Sequence, residues 1–276
     1  MLEPLIPNNI VCHAVEAMLF ASISCGILGV IIARMNISSI GFTMSHSAFA
    51  GAAAGIFSGL SPLLTGIAFS VLVAALLGPL SDKTRMSVDT TLGVMFAMSM
   101  AVAIFFISYM QYLGRGFNAS GLLFGDVISL YREEIYGLAL ISAVTVAFIV
   151  LFYKEILALM FNVKMAEASG IRTKIVFYAI LFIIAVSVAL NINIVGGLLI
   201  YVWLVVPAAI AYQFCYNIRD MFIVAPAIAV AISVLGVWAG FEYTLPIGPL
   251  IAVLFTAAFA VSVILSPKRR VTSNKF

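Results

Sequence analysis

The stretch IVFYAILFIIAVSVALNIN, Ile175 to Asn193, runs nineteen residues without a charged side chain. About 20 mostly apolar residues in a helix are enough to cross the hydrocarbon core of a bilayer. Working outward from this run, eight further stretches have the same character: 11–33, 43–59, 62–80, 90–110, 134–153, 197–215, 222–240 and 248–266. The chain as a whole is 64% hydrophobic and 9% charged, with a mean hydropathy of +1.21. Soluble domains carry about 25% charged residues. No soluble fold of this length hides so much apolar surface, so lipid is expected to cover it. The predicted fold is all-α: a polytopic transmembrane helical bundle of eight or nine spans, forming one domain over residues 1–276. The second stretch is rich in small residues and contains Ser45, His46 and Ser47. It is expected to be buried or broken rather than a plain span, which leaves the count between eight and nine.

Basic residues set the expected orientation. With the N-terminus outside, the inner segments hold Arg34, Lys83, Arg85, Lys154, Lys164, Arg172, Lys174, Arg219 and, in the basic tail 267–276, Lys268, Arg269, Arg270 and Lys275. The outer ones hold only Arg115 and Arg132. The C-terminus is then cytoplasmic. The opening Met-Leu-Glu-Pro is not basic, so the first apolar stretch itself is expected to direct the chain to the membrane. A net charge of +3 gives no reason to expect nucleic acid. Cys12, Cys25 and Cys215 lack metal-type spacing and read as small core residues.

Two connections are longer than turns, an outer one near 111–133 and an inner one near 154–174. Within the inner one, Asn162 suits a helix N-cap and Gly170 suits the residue past a helix end. Lys164 to Ala168 between them are good helix formers. The predicted short helix at 162–170 is either a simple connector or a contact surface for a cytoplasmic partner.

Ionisable groups at membrane depth are costly and point to function by default. The chain has few: His13 and Glu16 in the first stretch and His46 in the second. Asp89, Asp126 and Glu242 lie at or near ends. His46 suits a metal ligand or proton relay, or equally a hydrogen bond to a neighbouring helix. His13 and Glu16, three apart, share a helix face and form either a weak cation site near the outer entrance or a hydrated interfacial pair. Asp89 suits the positive start of the fourth helix. No Walker A sequence, H-E-x-x-H or G-x-S-x-G occurs, so no enzyme is indicated and ATP chemistry would lie elsewhere.

Several segments together resemble the ABC-3 family, the permeases of ABC importers for zinc and manganese. Gly41-Phe-Thr-Met-Ser-His46, followed by Gly51, is similar to the family's Gly-Asp-x-x-Ser-His-x-x-x-x-Gly. Asp89-Thr90-Thr-Leu-Gly93 is similar to its Asp-Thr-x-x-Gly. Leu123-Phe124-Gly125, then Phe161-Asn162 with Ala166 and Gly170, then Val195-Gly196 through Leu198-Leu199 to Pro207-Ala208, and finally Leu245-Pro-Ile-Gly-Pro249 follow in order. The resemblance implies a pore made by two copies in a prokaryotic plasma (inner) membrane, with no cofactor in the chain itself. It implies a cytoplasmic ABC ATPase dimer, carrying the ATP, docked through Asn162, Ala166, Glu167 and Gly170. It further implies an extracytoplasmic binding protein that delivers a divalent metal, with Ser45 and His46 on the path and His46 as a metal ligand.

One position departs from the pattern. Where the family has Asp, four residues before the histidine, this chain has Phe42. Residues i and i+4 share a helix face, so the missing carboxylate removes a natural co-ligand. Glu16, His13 or a second copy's His46 are the replacements the sequence offers. Without that carboxylate, zinc, which accepts imidazole, is favoured over manganese, which prefers oxygen. A larger cargo such as a metal chelate, or an ion-coupled secondary transporter using Glu16, His46 or Asp126, are the alternatives.

Overall fold

In the computed structural model the described residues are 10–114, 125, 132–197 and 199–268. Arg115, Leu123, Phe124, Asp126, Leu198, Arg269, Arg270 and Lys275 lie outside them. Among the described residues the chain is all helix and loop. The helices are α1 (Ile10–Arg34), α2 (Ser39–Ser58), α3 (Pro62–Thr84), α4 (Val88–Tyr112), α5 (Arg132–Leu151), α6 (Tyr153–Phe161), α7 (Val163–Ala168), α8 (Thr173–Val195), α9 (Ile200–Phe214), α10 (Ile218–Glu242) and α11 (Ile247–Leu265). Eight are long and apolar enough to cross a membrane, and α9 is a shorter apolar helix. Its 15 residues rise about 22 Å, less than the roughly 30 Å hydrocarbon core.

Of the two expectations for the second stretch, buried or broken, the buried helix is the one that forms. Helix α2 is continuous over 20 residues and is the least apolar yet most enclosed of the long helices. Small and hydroxylated side chains suit it because it meets protein rather than lipid. The interruption falls between α8 and α9 instead, at Gly196, where φ is +89°. A second difference lies in the inner connection. Residues 153–161 form a helix, held by the burial of Ile156 and Leu159, which are three apart and so share a face.

Helices α2, α3, α4 and α8 pack as one group, and α1, α5, α9, α10 and α11 as another, with α8 also touching α5 and α1, and α9 touching α2. Close helix approach in lipid relies on small residues. At Gly51 a Cβ would lie 2.4 Å from Thr65 O and 2.6 Å from Phe69 Cβ, so only glycine lets α2 and α3 meet there. Gly125, with φ +78°, rests on the end of α8, where a Cβ would be 2.1 Å from Ile194 O.

One polar knot ties the second group. Ser22 donates to Ser233 Oγ at 2.8 Å, and Trp203 Nε1–H donates to the same oxygen at 3.0 Å. All three residues are fully buried, and Trp203 also meets Phe255 edge-on at 5.3 Å, so α1, α9, α10 and α11 converge. Interhelical hydrogen bonds in membranes average only about 0.6 kcal/mol. Removing Oγ here strands two donors at once, and each unsatisfied buried group costs about 1–3 kcal/mol. Ser233→Ala is therefore expected to lower stability by about 2 kcal/mol, read as a fall in the thermal unfolding midpoint in detergent. An unchanged midpoint would show that the donors find new partners.

Candidate transport site

Helix α2 brings the sequence-predicted residues Ser45 and His46 into the interior, both buried. His46 Nδ1 lies 2.9 Å from the carbonyl of Phe42, one turn back, and 3.2 Å from Ser45 Oγ. Ser45 Oγ itself donates to Phe42 O at 2.9 Å. A carbonyl only accepts, so the contact with Phe42 O puts a proton on Nδ1, and in the neutral ring the lone pair then lies on Nε2. In that tautomer Nε2 is open to a ligand, with Phe42 O as the group that fixes the ring.

Aromatic rings surround the imidazole. Phe42 lies 4.4 Å from it and Phe96 of α4 4.8 Å, edge-on. Phe42 is itself 4.7 Å from Phe96 and 5.7 Å from Tyr201 of α9. Each such pair contributes about 0.5–1.5 kcal/mol beyond area burial, so Phe42 anchors a collar built from three helices. Thr43 bonds Leu92 O at 3.1 Å, and Ser39 Oγ donates to the Asp89 carboxylate, which together pin α2 to α4. Ser87, not Asp89, caps α4, accepting from Thr90 N at 3.2 Å. Asp89 is thus engaged across the helix pair rather than in capping.

Glu16 and His13 do not join His46. Glu16 is exposed on α1, and its described polar contact is Cys12 Sγ at 3.6 Å. By helical rise Glu16 stands roughly 27 Å from the Arg34 end of α1, whereas His46 stands about 10 Å from the start of α2. Among the described residues no three His, Cys, Asp or Glu side chains come together. The buried polar residues there are Ser, Thr, Asn191 and His46, with no carboxylate or ammonium among them. The sequence did not reveal Phe96 and Tyr201. Both sit in unrelated apolar runs, and only packing brings them to His46.

The short capped helix of the inner connection forms as expected. Asn162 Oδ1 accepts from Lys164 N at 2.9 Å and Met165 N at 3.2 Å, starting α7. Gly170 follows it with φ +83°. Two predicted contact residues have other company. Ala166 is buried, and Glu167 accepts a 2.7 Å bond from Thr173 Oγ1, which fastens α7 to the start of α8. Asn162, Glu167 and Gly170 are exposed, and beside them stand the apolar side chains of Phe161, Val163 and Met165, with Phe161 and Met165 each 70% exposed. Beside them opens a cavity of about 560 Å³ lined by Arg34, Asn36, Phe161, Tyr212 and Gln213, among others.

Long apolar helices enclosing a small-residue helix with a buried imidazole define an integral membrane protein. The chain belongs to the ABC 3 transport family, whose sequence profile matches residues 8–266. It is 24% identical to the manganese transport system membrane protein MntC of Listeria monocytogenes, over 99% of this chain and 97% of that one. It is 27% identical to a probable iron transport system membrane protein of Haemophilus influenzae, over 98% of each. Among solved structures, the fold is similar to a chain of PsaBC from Streptococcus pneumoniae in complex with Fab, with a TM-score of 0.84, 22% identity and coverage of 97% and 95%.

Proposed function

We propose that this chain is the membrane-spanning permease of an ATP-driven importer for a divalent metal ion, with the pore formed between two copies. The observation that carries the reading is His46, held by Phe42 O so that Nε2 keeps its lone pair inside the bundle. Family membership and relatives named for manganese and iron transport support metal as the cargo. One imidazole is a weak ligand set, which suits a pore, since a tight site would not release its ion. An extracytoplasmic binding protein delivers the ion, and a cytoplasmic ATPase dimer docks on the outward Phe161, Val163 and Met165. Closure of the ATPases then moves α7 and, through Glu167–Thr173, α8, so that His46 changes the side to which it opens. The basic-residue bias supports an N-terminus outside and a C-terminus in the cytoplasm, in a prokaryotic inner membrane.

Zinc fits the site better than manganese, because imidazole suits zinc and the hard ion prefers oxygen. The Phe42–Phe96–Tyr201 collar specifically favours a second reading, a metal chelate whose apolar ligand lies against the rings. A carboxylate placed at 42 distinguishes the two. In reconstituted complex, Phe42→Asp is expected to raise manganese uptake relative to zinc by about tenfold, since it adds an oxygen ligand on the His46 face. No change in the ratio, with the ATPase still active, counts against a bare ion at His46 and for the chelate.

A further inference from the structure

The cavity of about 560 Å³ beside Phe161 has no part in the transport reading. It opens where α1 and α9 end: Arg34 closes α1, Asn36 follows it, and Tyr212 and Gln213 stand in the last turn of α9. Among the described residues no carboxylate lines it. Arg34 makes no hydrogen bond or ion pair among those residues, and its Nε is buried without a partner. A buried donor left unpaired is costly, so the guanidinium lacks an acceptor. The carbonyls at the end of α9 are already taken. Lys268 Nζ donates to Cys215 O at 2.7 Å and to Tyr212 O, and Ser266 Oγ donates to Gln213 O at 3.3 Å. Lys268 also stands over the Tyr212 ring at 3.9 Å, which puts a second positive charge beside the mouth. The mouth is therefore rich in donors, and the floor is apolar. Ala208 lies six residues before the end of α9 and Phe259 six before the end of α11, about 9 Å into the bundle in each case.

We infer that this cavity binds an anionic phospholipid of the inner leaflet, with the phosphate on Arg34 and the roots of the acyl chains on the apolar floor. The leaflet rests on the orientation given above. A charged mouth over an apolar floor selects an amphipathic ligand, and basic pockets between helices on the cytoplasmic side of membranes hold anionic headgroups. The guanidinium fork matches phosphate with two parallel N–H donors. No lining carboxylate is there to hold an ammonium, so a glycerol headgroup fits better than ethanolamine. Asn36 and Gln213 offer amide oxygens for its hydroxyls. The volume suits a headgroup with its chain roots rather than a lone ion, since pockets for small molecules run about 300–1,000 Å³. A lipid seated there joins α1, α9 and α11 to the end of α6, at the root of α7.

The plain alternative is that Arg34 only complements the negative end of α1 and reaches for the surface, as any inner basic residue does. The test is lipid retention by the full-length chain purified in detergent, counted by native mass spectrometry. The probes are phosphatidylglycerol and phosphatidylethanolamine, with inorganic phosphate as competitor. Wild type is expected to retain phosphatidylglycerol in preference. Arg34→Gln, which removes the charge and keeps a donor, is expected to lower that retention by about tenfold, the scale of one hydrogen bond to a charged group. Ala209→Leu, which fills the floor and leaves Arg34 in place, is expected to lower it likewise. Lys83→Gln, at an inner basic residue outside the lining, is expected to leave it unchanged. Equal retention of the two lipids, or equal loss in Lys83→Gln and Arg34→Gln, would mark general attraction to a basic surface and overturn the proposal. So would full retention in Ala209→Leu, or displacement of the lipid by inorganic phosphate, which would mark a free-anion site. An Arg34→Gln variant that keeps its lipid but loses the ATPase would assign the guanidinium to the partner and also overturn it. Retention is measured without metal or ATP, so its failure leaves the permease reading standing.

Discussion

Replacing His46 by alanine is expected to cut ATP-dependent metal uptake by about tenfold or more while the complex still assembles. Groups that merely support a metal ligand are worth about 10–100-fold in affinity, so the ligand itself is worth no less. The change leaves α7 untouched, so ATPase binding is expected to stay as in wild type. Packing alone predicts a different pattern. His46 contributes ring contacts with Phe42 and Phe96, and their loss costs stability, on the order of 1–3 kcal/mol for two aromatic contacts. His46→Phe therefore makes the informative partner, because it keeps the ring and removes Nε2. Uptake lost in both variants, with the unfolding midpoint preserved in His46→Phe, assigns the effect to the nitrogen. Uptake retained in His46→Phe would reduce His46 to a core ring.

The second large effect is expected at the outward face of α6 and α7. Phe161 and Met165 are large apolar side chains left open beyond the ends of the long helices, next to the Arg34 cavity. On the proposed function these side chains are the docking surface, as grouped exposed apolar side chains favour partner contact. Interface energy concentrates in a few such anchors, each worth about 2 kcal/mol or more, or roughly 30-fold in Kd. Phe161→Glu combined with Met165→Glu is expected to weaken ATPase association by about 1000-fold, which in a pull-down is loss of the complex. Neither side chain is buried, so the fold is expected to survive. Ala166→Ser, on the inner face, is the contrasting variant: it perturbs packing under α7 and leaves the outer face intact. An ATPase that binds the double variant as it binds wild type would remove α7 from the docking site.

How much of this was legible in the sequence varied with the range of the interaction. The spans were legible because crossing lipid needs only local apolar length. Asn162 and Gly170 were legible because a cap is settled within a few residues. Helix α6 was not, since 154–161 reads as part of the connection after the 134–153 span, and only the burial of Ile156 and Leu159 makes it a separate element. The reading of α2 as buried or broken came from its polarity and small residues, and enclosure in protein accounts for both. The collar was illegible because Phe42, Phe96 and Tyr201 come from three helices and meet only in the packed bundle. Glu16 looked like a partner for His46 on the count of available acids, but α1 holds it near the far end. Asp89 looked like a cap, and its actual partner, Ser39, is fifty residues away in sequence.

The central claim is that this chain passes a metal ion under the control of a separate ATPase. The most direct test is metal accumulation in proteoliposomes containing the chain, its ATPase and its binding protein, offered zinc, manganese and iron in turn, with and without ATP. Accumulation of one of these metals is expected only when ATP is present. Failure with all three while the bound ATPase hydrolyses ATP, or accumulation driven by a proton gradient without the ATPase, would contradict it.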